Sequence, residues 1–126
     1  EVKNQVGFNI LQVASMENDL QAVKVICQHR AVSPTTINAV NPDTGNTNLH
    51  WAATHGNVEL AEVLLGSGAQ AGKQNKAGET CLFRAIQYNH SHFIKFILHI
   101  GRPHLSPNTP NLEGISPLRY ALQQDR

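Results

Sequence analysis

The chain has 126 residues, enough for one small domain. Its 10 Lys/Arg against 9 Asp/Glu leave a formal net charge of +1. That balance creates no field that would gather nucleic acid or a membrane surface. No apolar run approaches the roughly 20 residues needed to span a bilayer. The N-terminus Glu1-Val2-Lys3-Asn4-Gln5 resembles neither a signal nor a transit peptide and has no initiator Met, so the chain reads as a fragment of a larger protein.

In chain order, Gly7-Phe8-Asn9-Ile10-Leu11-Gln12-Val13-Ala14 opens a first short helix, and Leu20, Val23, Val25, Ile26 and Cys27 mark a second. A long connection, Gln28 to Val40, follows. Gly45-Asn46-Thr47-Asn48-Leu49-His50-Trp51-Ala52-Ala53 opens the next helix. The loop at Gly56-Asn57 then returns the chain into an amphipathic helix, Val58 to Leu65. Gly78-Glu79-Thr80-Cys81-Leu82-Phe83-Arg84-Ala85 leads in the same way to Phe93, Ile94, Phe96, Ile97 and Leu98. The prolines 103, 107 and 110 stiffen a finger from Arg102 to Asn111, and Gly114-Ile115-Ser116-Pro117-Leu118-Arg119-Tyr120-Ala121 begins a fourth copy. Its single helix, Pro117 to Gln124, carries Gln123, Gln124, Asp125 and Arg126 and would serve as a half-repeat cap or be continued in a parent protein. Residues before Gly7 and beyond Gln124 are expected to be poorly ordered.

Leu49 to Leu82 is a step of 33 residues, while Leu11 to Leu49 is 38 and Leu82 to Leu118 is 36. A period of this size implies a stack of supersecondary units rather than one wrapped core. The recurring Gly supplies the positive φ of a tight turn. Thr47, Thr80 and Ser116, two residues on, are N-caps, and Pro117 suits the first helical position. Leu and Ala at three-residue spacing form the buried stripe. Gly68 suits a left-handed C-cap.

This pattern resembles the ankyrin repeat, whose Thr-Pro-Leu-His-x-Ala signature stands here as Thr47-Asn48-Leu49-His50-Trp51-Ala52. Ile10, Asn48 and Cys81 replace the signature Pro in the first three copies, and Gln12, Phe83 and Arg119 replace the His in all but the second. The resemblance implies an all-α solenoid of stacked helix–turn–helix units with turn or β-hairpin fingers. It makes residues 1–126 a single domain, with repeats at about 4–40, 41–73, 74–108 and 109–126, the last partial. The same wording is also similar to the ankyrin regions of fungal cell-cycle transcription factors, through letters general to the repeat.

In such arrays partners meet the turn tips and the outward positions of the inner helices, on the concave side. Carried onto this chain, the resemblance points to Asn46, Trp51, Thr54 and His55 in the second copy. It adds Lys76, Glu79, Arg84, Gln87 and Tyr88 in the third, and Ile115 and Tyr120 in the fourth. Phe8, Met16, Glu17, Gln123 and Gln124 occupy similar places, although Phe8 reads as covered. Val13, Trp51, Arg84 and Tyr120 share one register and should form a ladder. Trp, Arg and Tyr are the types enriched at interface hot spots. The alternative is that Trp51 and Tyr120 pack between neighbouring helices.

Other chemistries have less support. His90, His92, His99 and His104 lack zinc-site spacing and reinforcing ligands, so no metal or cofactor is expected. Two cysteines are too few for a disulfide scaffold. Cys27 reads as a core position, and Cys81, at a helix N-terminus, is expected to have a modestly lowered pKa. Neither thiol is given a base by the sequence. Gly66-Ser67-Gly68 follows a helix rather than a strand and so is no phosphate loop.

The expected function is therefore non-catalytic: a scaffold or adaptor binding another protein or peptide, intracellular and monomeric. It would take no nucleic acid directly, no membrane and no small-molecule substrate. The alternative is a structural spacer or intramolecular docking platform within a larger regulatory protein, possibly a transcriptional one.

Overall fold

The computed structural model describes residues 9–29, 32–100 and 105–124. The expectations for Phe8, for the two termini and for Arg102 to His104 lie outside the described residues. The described residues form eight helices and no strand: α1 Ile10–Met16, α2 Leu20–Gln28, α3 Pro34–Ile37, α4 Asn48–His55, α5 Val58–Gly66, α6 Cys81–Gln87, α7 Ser91–Ile100 and α8 Pro117–Gln124. Helices α1, α4 and α6 pair with α2, α5 and α7 respectively. The inner helices α1, α4, α6 and α8 touch in succession, as do the outer helices α2, α5 and α7.

The apolar stripes meet between these two layers. Leu11, Val23, Leu60, Leu64, Phe93 and Ile97 are wholly buried, and Leu49 and Leu82 nearly so. Burying each such side chain is worth about 1.5–3 kcal/mol. Ala52, Ala53, Ala61 and Ala85 are also fully buried, and their small size lets neighbouring helices approach closely.

Caps fix where the helices begin. Thr47 accepts from the His50 N–H and Asn57 from the Leu60 N–H. Ser116 Oγ accepts from the Arg119 N–H at 3.2 Å. Asn9 forms a reciprocal box with Gln12, whose Oε1 accepts from the Asn9 N–H at 2.7 Å. Thr80 departs from expectation: it makes no side-chain cap bond, and its hydroxyl is buried without a hydrogen-bond partner.

The long connection from Gln28 to Val40 is structural. It contains α3, capped by Ser33, and it buries Thr36 and Ile37. Asn48, at the signature proline position, donates from Nδ2 to the Ile37 carbonyl at 3.1 Å. Asn38 clasps the following connection, accepting from the Gln70 N–H at 3.0 Å and donating to the Gly68 carbonyl at 3.2 Å. A proline at position 48 could not make the first of these bonds.

The fingers are turns organised by asparagine. Asn75 Oδ1 accepts from the Ala77 and Glu79 N–H groups, and Asn111 Oδ1 from those of Glu113 and Ile115. Asn41 Oδ1 accepts from Asp43 and Thr44. Adjacent turns are laced together by backbone bonds from Lys76 N to Thr44 O and from Leu112 N to Ala77 O, each 2.9 Å. Gly78, at φ 79°, lies so close to the next turn that a Cβ would fall 2.6 Å from the Leu112 nitrogen.

Candidate functional site

Val13, Trp51, Arg84 and Tyr120 occupy the same register on α1, α4, α6 and α8, and all four are half-buried. Each of the three larger ones leans on a fixed neighbour. The Trp51 ring stacks with His55 at a centroid distance of 6.3 Å. The Tyr120 ring meets the buried Phe83 at 5.5 Å. Arg84 pairs with Glu79 at 3.7 Å and donates to Gln87 Oε1 at 2.7 Å. Its side chain is 26% exposed and that of Glu79 18%, so both retain some access to solvent.

Several expected site residues spend their polar groups within the fold. Asn46 Oδ1 accepts from Asn75 Nδ2 at 2.8 Å, and Lys76 Nζ donates to the Pro42 carbonyl. The Thr54 hydroxyl donates to the His50 carbonyl at 2.9 Å. Tyr88 is 49% exposed and stacks with His90. Ile115 is half-buried and closes its turn by accepting from the Asn111 N–H at 2.9 Å.

Three histidines bridge neighbouring units, a role absent from their sequence spacing. His50 is 1% exposed. Its Nε2–H donates to the Glu79 carbonyl at 2.8 Å, and its Nδ1 accepts from the Thr47 N–H at 3.0 Å. His55 Nε2 donates to the Met16 carbonyl, and His90 Nε2 to the Thr54 carbonyl, each at 3.0 Å. Burial lowers the His50 pKa to about 4; the Glu79 carbonyl bond opposes that shift, and the Arg84 charge adds to it.

The thiols correct one expectation. Cys81 is 1% exposed, and burial pushes its pKa up to about 12 rather than down, overriding any helix-terminus effect. Burial raises Cys27 as well, against a bond from Ser67 that lowers it. Among the described residues no three His, Cys, Asp or Glu side chains come together to hold a metal ion, and no helix is long and apolar enough to cross a membrane.

Paired helices in register, turn laced to turn, with a row of half-buried aromatic and arginine side chains, define a helical repeat module. The family model for ankyrin repeats in many copies matches residues 11–65 and again 49–98. The chain belongs to the ankyrin repeat family. Ankyrin repeats are in general protein–protein interaction modules and non-catalytic. The chain is 29% identical over 117 residues to Regulatory protein SWI4 of Saccharomyces cerevisiae, a match covering 90% of this chain and 11% of that protein. It is 44% identical over 64 residues to human Neurogenic locus notch homolog protein 1, covering 51% of this chain and 2% of the relative. A probable E3 ubiquitin-protein ligase of rice, XBOS32, is 29% identical over 85 residues, which is 68% of this chain and 16% of that protein. The chain thus spans a small part of each relative's length.

Proposed function

We propose that this chain is a non-catalytic scaffold that binds one protein or peptide segment across the concave face of its inner helices and the turn tips. Its four units, at about 4–40, 41–73, 74–108 and 109–126, stack as a short monomeric solenoid. Trp51, Arg84 and Tyr120 form the centre of the binding face. Asn46, Thr54, His55, Lys76, Glu79, Gln87, Tyr88 and Ile115 form its surround. The supporting observation is that three hot-spot residue types sit half-buried at one register on touching helices, each already leaning on a neighbour. Side chains ordered before binding lose less entropy on association, and that favours affinity. The near-neutral charge favours a protein partner over nucleic acid or membrane. The likeness to Regulatory protein SWI4 favours a place inside a larger intracellular regulatory protein.

A second reading is a spacer or intramolecular docking platform. It is favoured by Asn46, Thr54 and Lys76, whose polar groups are engaged within the fold. Partner capture from a lysate separates the two, comparing the natural chain with a Trp51→Ala/Arg84→Ala/Tyr120→Ala variant that stays folded by circular dichroism. A protein retained by the first and lost by the second supports the concave site. Equal capture by both overturns the site, and no specific capture by either favours the spacer.

A further inference from the structure

Four of the six prolines follow a hydroxyl residue: Ser33-Pro34, Ser106-Pro107, Thr109-Pro110 and Ser116-Pro117. As dipeptides they are alike, and the fold separates them. Ser33 and Ser116 are half-buried helix caps. Ser33 Oγ accepts from the Thr36 N–H at 3.2 Å, and its carbonyl from the Ile37 N–H at 3.1 Å. Ser116 Oγ accepts from the Arg119 N–H, its carbonyl accepts from the Tyr120 N–H at 2.9 Å, and Pro117 is buried. Ser106 is exposed and lies in the connection between α7 and α8, outside any helix. Its Oγ accepts from the Asn108 N–H at 3.1 Å. Leu105, 2% exposed, anchors the segment to the core just before it. Among the described residues no backbone-to-backbone hydrogen bond involves 105–110. Thr109 is half-buried, and the Pro110 carbonyl after it accepts from Gln74 Nε2 at 3.4 Å.

From this comparison we infer that Ser106 is a phosphate-acceptor site for a proline-directed protein kinase, with a nucleoside triphosphate as donor. Such an enzyme must draw the residues around the acceptor into an extended run to bring the hydroxyl in line with the γ-phosphate. A proline after the acceptor suits a cleft with no partner for a backbone N–H, because proline has none. It also biases the acceptor itself towards extended backbone. At Ser106 that run is reached by releasing one side-chain bond. At Ser33 and Ser116 it requires undoing a cap and the first turn of a helix. In the transfer Ser106 Oγ forms a bond to the γ-phosphorus, the bond from that phosphorus to the bridging oxygen breaks, and the nucleoside diphosphate leaves. The hydroxyl proton passes to the kinase's catalytic carboxylate. The phosphomonoester brings about −1.5 to −2 charges at pH 7, against a formal net charge of +1 for the whole chain. Phosphorylation thus reverses the sign of the chain's charge while the fold stays as it is, because the side chain faces solvent. This site shares no residue with the concave-face reading, so the failure of either leaves the other standing.

The test incubates the natural chain with ATP and a purified proline-directed kinase, chosen because it phosphorylates free peptides 30–37, 103–110 and 113–120. The initial rate at each serine, read by site-resolved mass spectrometry, is divided by the rate on the corresponding peptide. The expected ratio for Ser106 exceeds those for Ser33 and Ser116 by about tenfold, since each of these must first lose its cap. A Ser106→Ala variant, which keeps its fold because that side chain is exposed, loses this incorporation. The phosphorylated chain keeps the circular dichroism spectrum of the natural one. Equal ratios at the three serines overturn the inference, as does a native chain that takes up no phosphate while the free peptides do. Incorporation on Thr109 in preference to Ser106 overturns it as well.

Discussion

Acid should loosen this repeat stack through His50. In the folded chain its pKa is about 4, against 6.5 for the ordinary side chain. Between those values the unfolded chain binds a proton that the folded chain refuses, so stability falls as the pH falls from about 6.5 towards 4. Integrating the difference gives a loss of about 2 kcal/mol at pH 5 and about 3 kcal/mol below pH 4. The structural reason is that Nδ1 must stay unprotonated to accept from Thr47 while Nε2 donates to Glu79. His50→Gln is the informative variant, because Gln12 at the same register already closes a box by accepting from the backbone of its cap residue. Urea titrations at pH 7 and pH 5 should show the natural chain losing about 2 kcal/mol more than the variant. The other six histidines are common to both proteins and cancel in this comparison. If both proteins lose the same stability, His50 is not the buried neutral group described above.

Three other outcomes can be measured. Gly78→Ala should cost more than Gly114→Ala in urea titration. Both glycines have φ near 78°, worth about 1–2 kcal/mol for an added Cβ, but only Gly78 would also meet backbone, whereas Gly114 faces open space. Equal costs would refute the lacing of adjacent turns. Thr80→Val should leave stability unchanged or raised by removing an unpaired buried hydroxyl, while Thr47→Val should cost about 1 kcal/mol through the lost cap. At pH 8 a thiol reagent should modify Cys27 and spare Cys81 in the native chain, and reach both in urea; rapid native modification of Cys81 would contradict its burial.

Much of this molecule was legible before folding. Helix starts, the buried Leu–Ala stripes and α8 from Pro117 to Gln124 all depend on residues within a turn or two of one another. Short-range spacing and capping chemistry determine them locally. The chain alone likewise carried the ankyrin signature and hence the family. The short helix α3 was missed because its Ser33-Pro34-Thr35-Thr36-Ile37 run has no repeat counterpart. The role of Asn48 depends on a carbonyl eleven residues away.

Contacts between units were decided by the tertiary structure. His50 finds its acceptor 29 residues on, and His55 and His90 reach carbonyls 39 and 36 residues back. Nothing in the spacing announces these bonds, because they exist only once one unit is set against the next. The Cys81 position at a helix N-terminus suggested a modestly lowered pKa, yet burial in the assembled stack raised it. The sequence alone determined the repeating unit, because a helix is specified by neighbours along the chain. The tertiary structure decided which polar groups remain available to a partner, because desolvation and pairing are properties of the assembled stack.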